Sequence, residues 1–182
     1  MPKRPVRSTT ITNRLTKVIP SHICGSGRLG RTRIITADTE GSMSAISEQL
    51  DLRTDQRDQL LDITARVQQI VDKSGVSASV CTAFIPHTTA GVTINENADP
   101  DVVHDLLNRL DELVPWRADS DRHGEGNSAA HLKAALMGSS VQVLVVGGRL
   151  ALGTWQGVFF CEFDGPRSRQ VWISVAADQE SL

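Results

Sequence analysis

The C-terminal third of the chain does most to limit the fold. Val141–Val146 is a short β-branched run, and Gly147-Gly148 behind it is a strong hairpin signal, because two glycines accept the positive φ angles of a two-residue turn. Arg149–Gly153, Trp155–Phe163 and Gln170–Ala176 read as further strands. A chain that spends its last third this way must bury sheet faces, and what precedes this region must cover them.

The preceding segments mix strands and helices. Ile46–Arg53 alternates, with Leu50 and Leu52 on one face, and predicts a strand. The polar turn Thr54-Asp55-Gln56 leads to a short strand, Gln59–Ile63. Thr64 is placed to cap a helix over Ala65–Lys73, where Val67, Ile70 and Val71 fall at i, i+3 and i+4 and Gly75 stands at the C′ position. Val76–Pro86 reads as a buried strand, and Gly91–Asn95 as another after the break at His87–Ala90. Asp99-Pro100 is a helix start, an N-cap followed by a proline whose missing N–H costs nothing there. Val103, Leu106, Leu107, Leu110 and Leu113 form its apolar stripe, and Pro115 stops it. A polar, acidic loop over 117–128 precedes a short helix, Ala129–Met137, capped by Asn127 or Ser128 and ended by Gly138. Several strands with three interspersed helices indicate an α+β domain.

Composition narrows the class. Of 182 residues, 40% are hydrophobic, enough for a single core. No apolar stretch approaches the ~20 residues of a membrane helix, so no membrane role is expected. The formal net charge of -2 gives no general case for nucleic acid. That charge is unevenly spread: residues 1–43 carry eight Lys or Arg against two acidic residues, and the remainder eleven against nineteen. Residues 1–43 thus form a basic extension, read as a disordered tail, as the product of a mis-assigned start with Met43 the true one, or as a basic arm; residues 44–182 form the domain. Three cysteines, Cys24, Cys81 and Cys161, without a CxxC pair fit reduced thiols in a cytoplasm.

Histidines carry the candidate chemistry. His104 lies beside Asp101 and Asp105 on the outer part of its helix and reads as solvated, as does His22 in the basic extension. His87 follows a strand and opens His87-Thr88-Thr89-Ala90-Gly91, where two hydroxyls beside an imidazole suit an anion or substrate oxygen; a plain hairpin turn is the bland alternative. His123 sits in Asp121-Arg122-His123-Gly124-Glu125-Gly126-Asn127, either a backbone bent closely around a ligand or a mobile loop. His131 follows in the first turns of the short helix, where a packed core histidine is the ordinary case. Three imidazoles could hold a divalent metal ion tetrahedrally with one open position, with Glu96 or Glu125 as fourth ligand or acid–base group. Gln156 and Glu162, six residues apart, share a strand face, and Glu162 beside Phe159-Phe160-Cys161 needs a cationic partner, for which Arg167 is the candidate. Nothing matches a phosphate-binding P-loop or a dinucleotide fingerprint.

Pro86 through Asp101, His123 through Lys133, Gly153-Thr154-Trp155-Gln156-Gly157 and Cys161 through Arg167 together resemble the YjbQ family. The resemblance runs from about Ile46 to Ala176, excludes residues 1–43, and makes Met43–Leu182 the usual length of a member. It implies a compact, β-sandwich-like α+β domain, a homotrimer with the site near subunit boundaries, and a metal site (zinc or magnesium) built from His87, His123 and His131. It also implies thiamine-phosphate synthase activity, joining hydroxymethylpyrimidine diphosphate to thiazole phosphate with release of pyrophosphate. In that reading His87, Glu96, His123 and His131 are catalytic, and the hydroxyls of Thr88 and Thr89 meet a phosphate of the substrate. Lys133 and Arg167 neutralise the leaving group, and Asn95, Asn97, Glu125, Asn127, Thr154, Gln156 and Glu162 complete the binding set. The alternative is a metal-binding trimer with a different, hydrolytic reaction or a non-enzymatic role in binding a small molecule.

Overall fold

The structure, a computed structural model, describes residues 45–176, without the side chains of Ala45 and Ile46. The expectations for the basic extension, His22 and Cys24 lie outside the described residues. The elements follow in the order β1 (Ala45–Arg53), β2 (Gln59–Asp62), α1 (Thr64–Ser74), β3 (Ala78–Phe84), β4 (Ala90–Glu96), α2 (Pro100–Leu113), α3 (Ser128–Met137), β5 (Ser140–Val146), β6 (Arg149–Leu150), β7 (Gln156–Glu162) and β8 (Ser168–Ala176). This is the expected α+β class with three helices.

Two antiparallel sheets face each other. The larger runs β1-β8-β3-β5-β6 and the smaller β2-β7-β4. Strand alternation decides what lies between them. Val171, Ile173 and Val175 of β8, Cys81 and Ala83 of β3, and Val143 and Val145 of β5 point inward to meet Val158 and Phe160 of β7. Helix α1 closes this core with Val67, Ile70 and Val71.

β7 is buried on both faces, which is why Phe159-Phe160-Cys161 is continuously apolar. Its other face presents Phe159 and Cys161, with Phe163 beyond it, to Leu110 of α2 and to Ala130 and Ala134 of α3. Burying side chains of this size contributes about 1.5–3 kcal/mol each, so one strand joins the two cores.

Local expectations mostly hold, with small differences. Thr64 is the first residue of α1 rather than its cap: Asp62 accepts from the Thr64 backbone N–H at 2.8 Å, and the Thr64 hydroxyl accepts from Val158 N–H at 2.8 Å. The strand expected over Arg149–Gly153 shrinks to Arg149–Leu150, because Leu152 N–H turns back to the Leu150 carbonyl at 2.9 Å. Among the described residues no helix is long and apolar enough to cross a membrane.

Candidate functional site

Register divides the sequence candidates between two ends of the small sheet. β4 pairs with β7 from Ala90 opposite Glu162 to Glu96 opposite Gln156. Seven extended residues span roughly 20 Å, so Asn95, Glu96, Asn97, Thr154 and Gln156 gather at the end far from Thr89 and Glu162. The side chains of Asn95, Asn97 and Gln156 serve local structure. Asn95 Oδ1 accepts from the Glu96 N–H at 2.8 Å, Asn97 Nδ2 donates to Asp62 at 3.3 Å, and Gln156 Oε1 accepts from Gly153 N–H at 2.8 Å. Gln156 and Glu162 therefore share a strand face without sharing a pocket.

The near end is built on a buried ion pair. Glu162 continues the inward parity of Val158 and Phe160 to the edge of the inter-sheet core and is 0% exposed. Arg169 continues the inward parity of β8 and meets it there, Nε to Oε2 at 2.7 Å and Nη2 to Oε1 at 2.6 Å. The partner of Glu162 is thus Arg169, not Arg167, and the alternation of Arg169 with Val171 and Ile173 was the signal that could have identified it. The Thr54 hydroxyl donates to Glu162 at 3.1 Å, and the Phe163 and Asp164 N–H groups donate at 3.1 and 2.9 Å. Arg169 Nη2 also donates to the Thr89 hydroxyl at 2.8 Å. Arg167 instead turns outward and pairs with Asp164 at 2.7 Å.

His87, in the connection between β3 and β4, is half-buried, and its Nε2 accepts from the Gln170 backbone N–H at 2.8 Å. Burial, together with the neighbouring Arg169 guanidinium, holds its pKa below the ordinary imidazole value, against the opposing pull of Glu162. Thr88 beside it is exposed.

A polar cluster lies on the helix side of the same end. Asn127 precedes α3 and is buried; its Nδ2 donates to Asp164 at 3.1 Å and to Glu125 at 3.4 Å. Its Oδ1 is buried and has no partner among the described residues. Among the described residues no side chain caps α3: Ala130 N–H donates to the Asn127 carbonyl at 2.9 Å, and the N–H groups of Ser128 and Ala129 have no acceptor. His123 and His131 meet edge to face with ring centroids 5.2 Å apart, and His123 Nε2 lies 3.9 Å from Glu125.

Two sequence expectations fail here. The three histidines do not converge: His87 is tied to β8 while His123 and His131 pair at the start of α3. Among the described residues no three His, Cys, Asp or Glu side chains form a metal-holding group. The zinc or magnesium site expected of His87, His123 and His131 is therefore not formed. Lys133 does not reach this cluster either. It is 1% exposed on the core side of α3 and is held by Asp58 at 3.2 Å and by Asp111. Asp111, beside Lys133 and Arg57, has its carboxyl held below the ordinary range, chiefly by the hydrogen bond from Lys133. His104 is exposed, as its sequence position implied.

The molecule is thus a two-sheet α+β domain with a buried arginine–glutamate pair and a histidine-bearing polar cluster at one end. A family model described as UPF0047 protein YjbQ-like matches residues 48–178, and the chain belongs to this family. The chain is 52% identical to UPF0047 protein YugU of Bacillus subtilis over 126 residues, 69% of this chain and 96% of the relative. It is 45% identical over 130 residues to a UPF0047 protein of Methanocaldococcus jannaschii, covering 70% and 92%. A crystal structure of a family member from Clostridium acetobutylicum superposes with a TM-score of 0.69 at 54% identity, over 70% of this chain and 98% of the other. One from Sulfolobus solfataricus, described as of unknown function, gives 0.72 at 32% identity, over 75% and 100%. None of these relatives is named a thiamine-phosphate synthase or a transferase. With the histidines apart and Lys133 sequestered, the expectation of that activity is withdrawn, as are its metal-dependent and hydrolytic alternatives.

Proposed function

We propose that the cluster at the start of α3 is an acid–base site that takes a small phosphorylated molecule. One observation carries this reading: among the described residues Asn127 Oδ1 is buried without a donor, at the mouth of a helix that no side chain caps. Leaving such an acceptor unmade costs about 1–3 kcal/mol, a cost that a ligand hydroxyl or amine would remove. The N–H groups of Ser128 and Ala129, without an acceptor among the described residues, suit an anion, and Arg167, paired with Asp164, stands beside them at the rim. His123 and His131, with Glu125 beside the first, are the groups that would give and take protons there.

The expected homotrimer has a surface to form on. Phe84, Leu144, Val146 and Trp172 lie on the outward face of the large sheet and are 40%, 62%, 63% and 51% exposed. Large apolar side chains sharing one sheet face mark an association surface. The free, buried thiols of Cys81 and Cys161 suit a reducing compartment such as the cytoplasm.

Thermal shift against paired phosphorylated and dephosphorylated small molecules tests the site. Stabilisation by phosphorylated members, lost in His131→Ala and Arg167→Gln, is expected. No phosphate-dependent stabilisation, or stabilisation indifferent to both substitutions, would overturn it. Light scattering tests the assembly: wild type is expected at three chains and Trp172→Glu at one.

A further inference from the structure

A separate cleft of about 560 Å3 opens where β1 meets β8, lined by Asp51, Arg53, His87, Ser168, Arg169 and Gln170, with Leu52 at its base. Register builds it: Arg53 lies opposite Ser168, Leu52 opposite Arg169 and Asp51 opposite Gln170. The His87 ring enters from the β3–β4 connection.

Hydrogen-bond donors outnumber acceptors among the side chains of the residues that line it. His87 Nε2 accepts from Gln170 N–H, so in the neutral ring the proton sits on Nδ1, and Nδ1 has no acceptor among the described residues. Arg169, 8% exposed where it lines the cleft, spends Nε and Nη2 on Glu162 and Thr89, while its Nη1 has no acceptor among the described residues. The Ser168 hydroxyl and the Arg53 guanidinium complete the rim, and no ion pair to Arg53 forms among the described residues. Glu162 cancels the formal charge of Arg169 from behind. Arg53 therefore supplies the free positive charge, and Asp51, which accepts from Gln49 at 2.9 Å, is the one opposing carboxylate on the rim.

We infer that this cleft is an oxyanion-binding site, taking the phosphate or carboxylate group of a small molecule between Arg53, Ser168, Arg169 and His87. The planar guanidinium of Arg169 is fixed in orientation by Glu162, so it meets the oxyanion already oriented and little side-chain entropy is lost on binding. The site is independent of the α3 cluster and stands if that cluster binds nothing.

Imidazole NMR on the full-length protein tests it, with inorganic phosphate and acetate titrated separately at constant ionic strength against chloride, and His87 assigned by the signal missing in His87→Gln. A saturable shift at His87 is expected, with affinity lowered about tenfold by Arg53→Gln, the scale of one lost charge-assisted hydrogen bond. Phosphate alone acting identifies a phosphoryl ligand; acetate alone identifies a carboxylate. The absence of a saturable shift with either anion, or equal affinity in a folded Arg53→Gln, would overturn the assignment. Asn127→Ala separates the two sites: it is expected to change the phosphate response at His131 and leave that of His87 intact.

Discussion

Arg169 grips both carboxylate oxygens of Glu162, at 2.7 and 2.6 Å, and the glutamate it holds is wholly enclosed. Glu162 accepts three further bonds, from Thr54 and from the Phe163 and Asp164 N–H groups. A buried charge is tolerable only when matched this completely. The same bonds fix the β7–β8 connection, since Thr54 also receives Arg167 N–H at 2.9 Å and gives its own N–H to the Arg167 carbonyl at 3.0 Å. The pair thus sets the positions of Asp164 and Arg167 for the α3 cluster and of Ser168 for the β1–β8 cleft.

Removing one partner leaves the other buried and uncompensated. Arg169→Met is expected to cost about 3–5 kcal/mol. The double variant Arg169→Met with Glu162→Leu is expected to cost clearly less than its two single changes together, because no charge is stranded. Urea unfolding of the four proteins measures this; additive losses would show that the pair is not coupled.

How far the sequence disclosed this end of the molecule depends on which scale each residue obeys. Strand parity is local, so the two-faced burial of Phe159-Phe160-Cys161 and the need of Glu162 for a cation were legible. The identity of that cation was not recognised, although Arg169 shares its face with Val171 and Ile173. Helix ends at Asp99-Pro100 and Gly138 were legible because capping is written within a few residues. Convergence of His87 with His123 and His131 is a tertiary matter that spacing does not encode. Asn95, Glu96 and Asn97 show the same limit. They stand within ten residues of His87, yet β4 carries them the length of the small sheet away.

The His87 titration links this end to pH. Its folded pKa lies below the ordinary value of 6.5 because of burial and the Arg169 charge. The unfolded chain therefore binds the proton more readily in the interval between the two values. The stabilisation is complete above about 6.5 and is lost as pH falls through that interval to the folded value, below which it changes no further. His87→Gln can still accept from Gln170 N–H but does not titrate. Its unfolding free energy, compared with wild type at pH 8, 6 and 5, is expected to fall less on acidification; an identical fall in both would assign the pH dependence elsewhere.

Cys81 and Cys161 are expected to be inert. Burial raises the first thiol to about 11 and the second to about 12, so neither carries appreciable thiolate near neutral pH. Iodoacetamide treatment of the native protein at pH 7.5, followed by peptide mass mapping, is expected to leave both unmodified, with labelling only after denaturation. Native labelling of Cys161 would mean that the β7 core opens far more readily than its enclosure by α2 and α3 implies.

Gly91 gives a test of how tightly α3 sits on the small sheet. A Cβ at this position would lie 2.8 Å from the Gly138 carbonyl oxygen and 2.9 Å from Met137 Cβ. The carbonyl belongs to the backbone that ends α3, and it accepts from Val92 N–H at 3.0 Å, so it cannot retreat without loosening that bond. Gly91→Ala is therefore expected to destabilise by about 1–3 kcal/mol through overpacking. Gly124→Ala, where a Cβ meets nothing within 4 Å and φ is not positive, is expected to change stability by less than about 0.5 kcal/mol. Parallel urea titrations decide it. Equal, small effects would show that the C-terminal end of α3 yields under a single methyl group and that the helix is less firmly seated on β4 than the contact distances require.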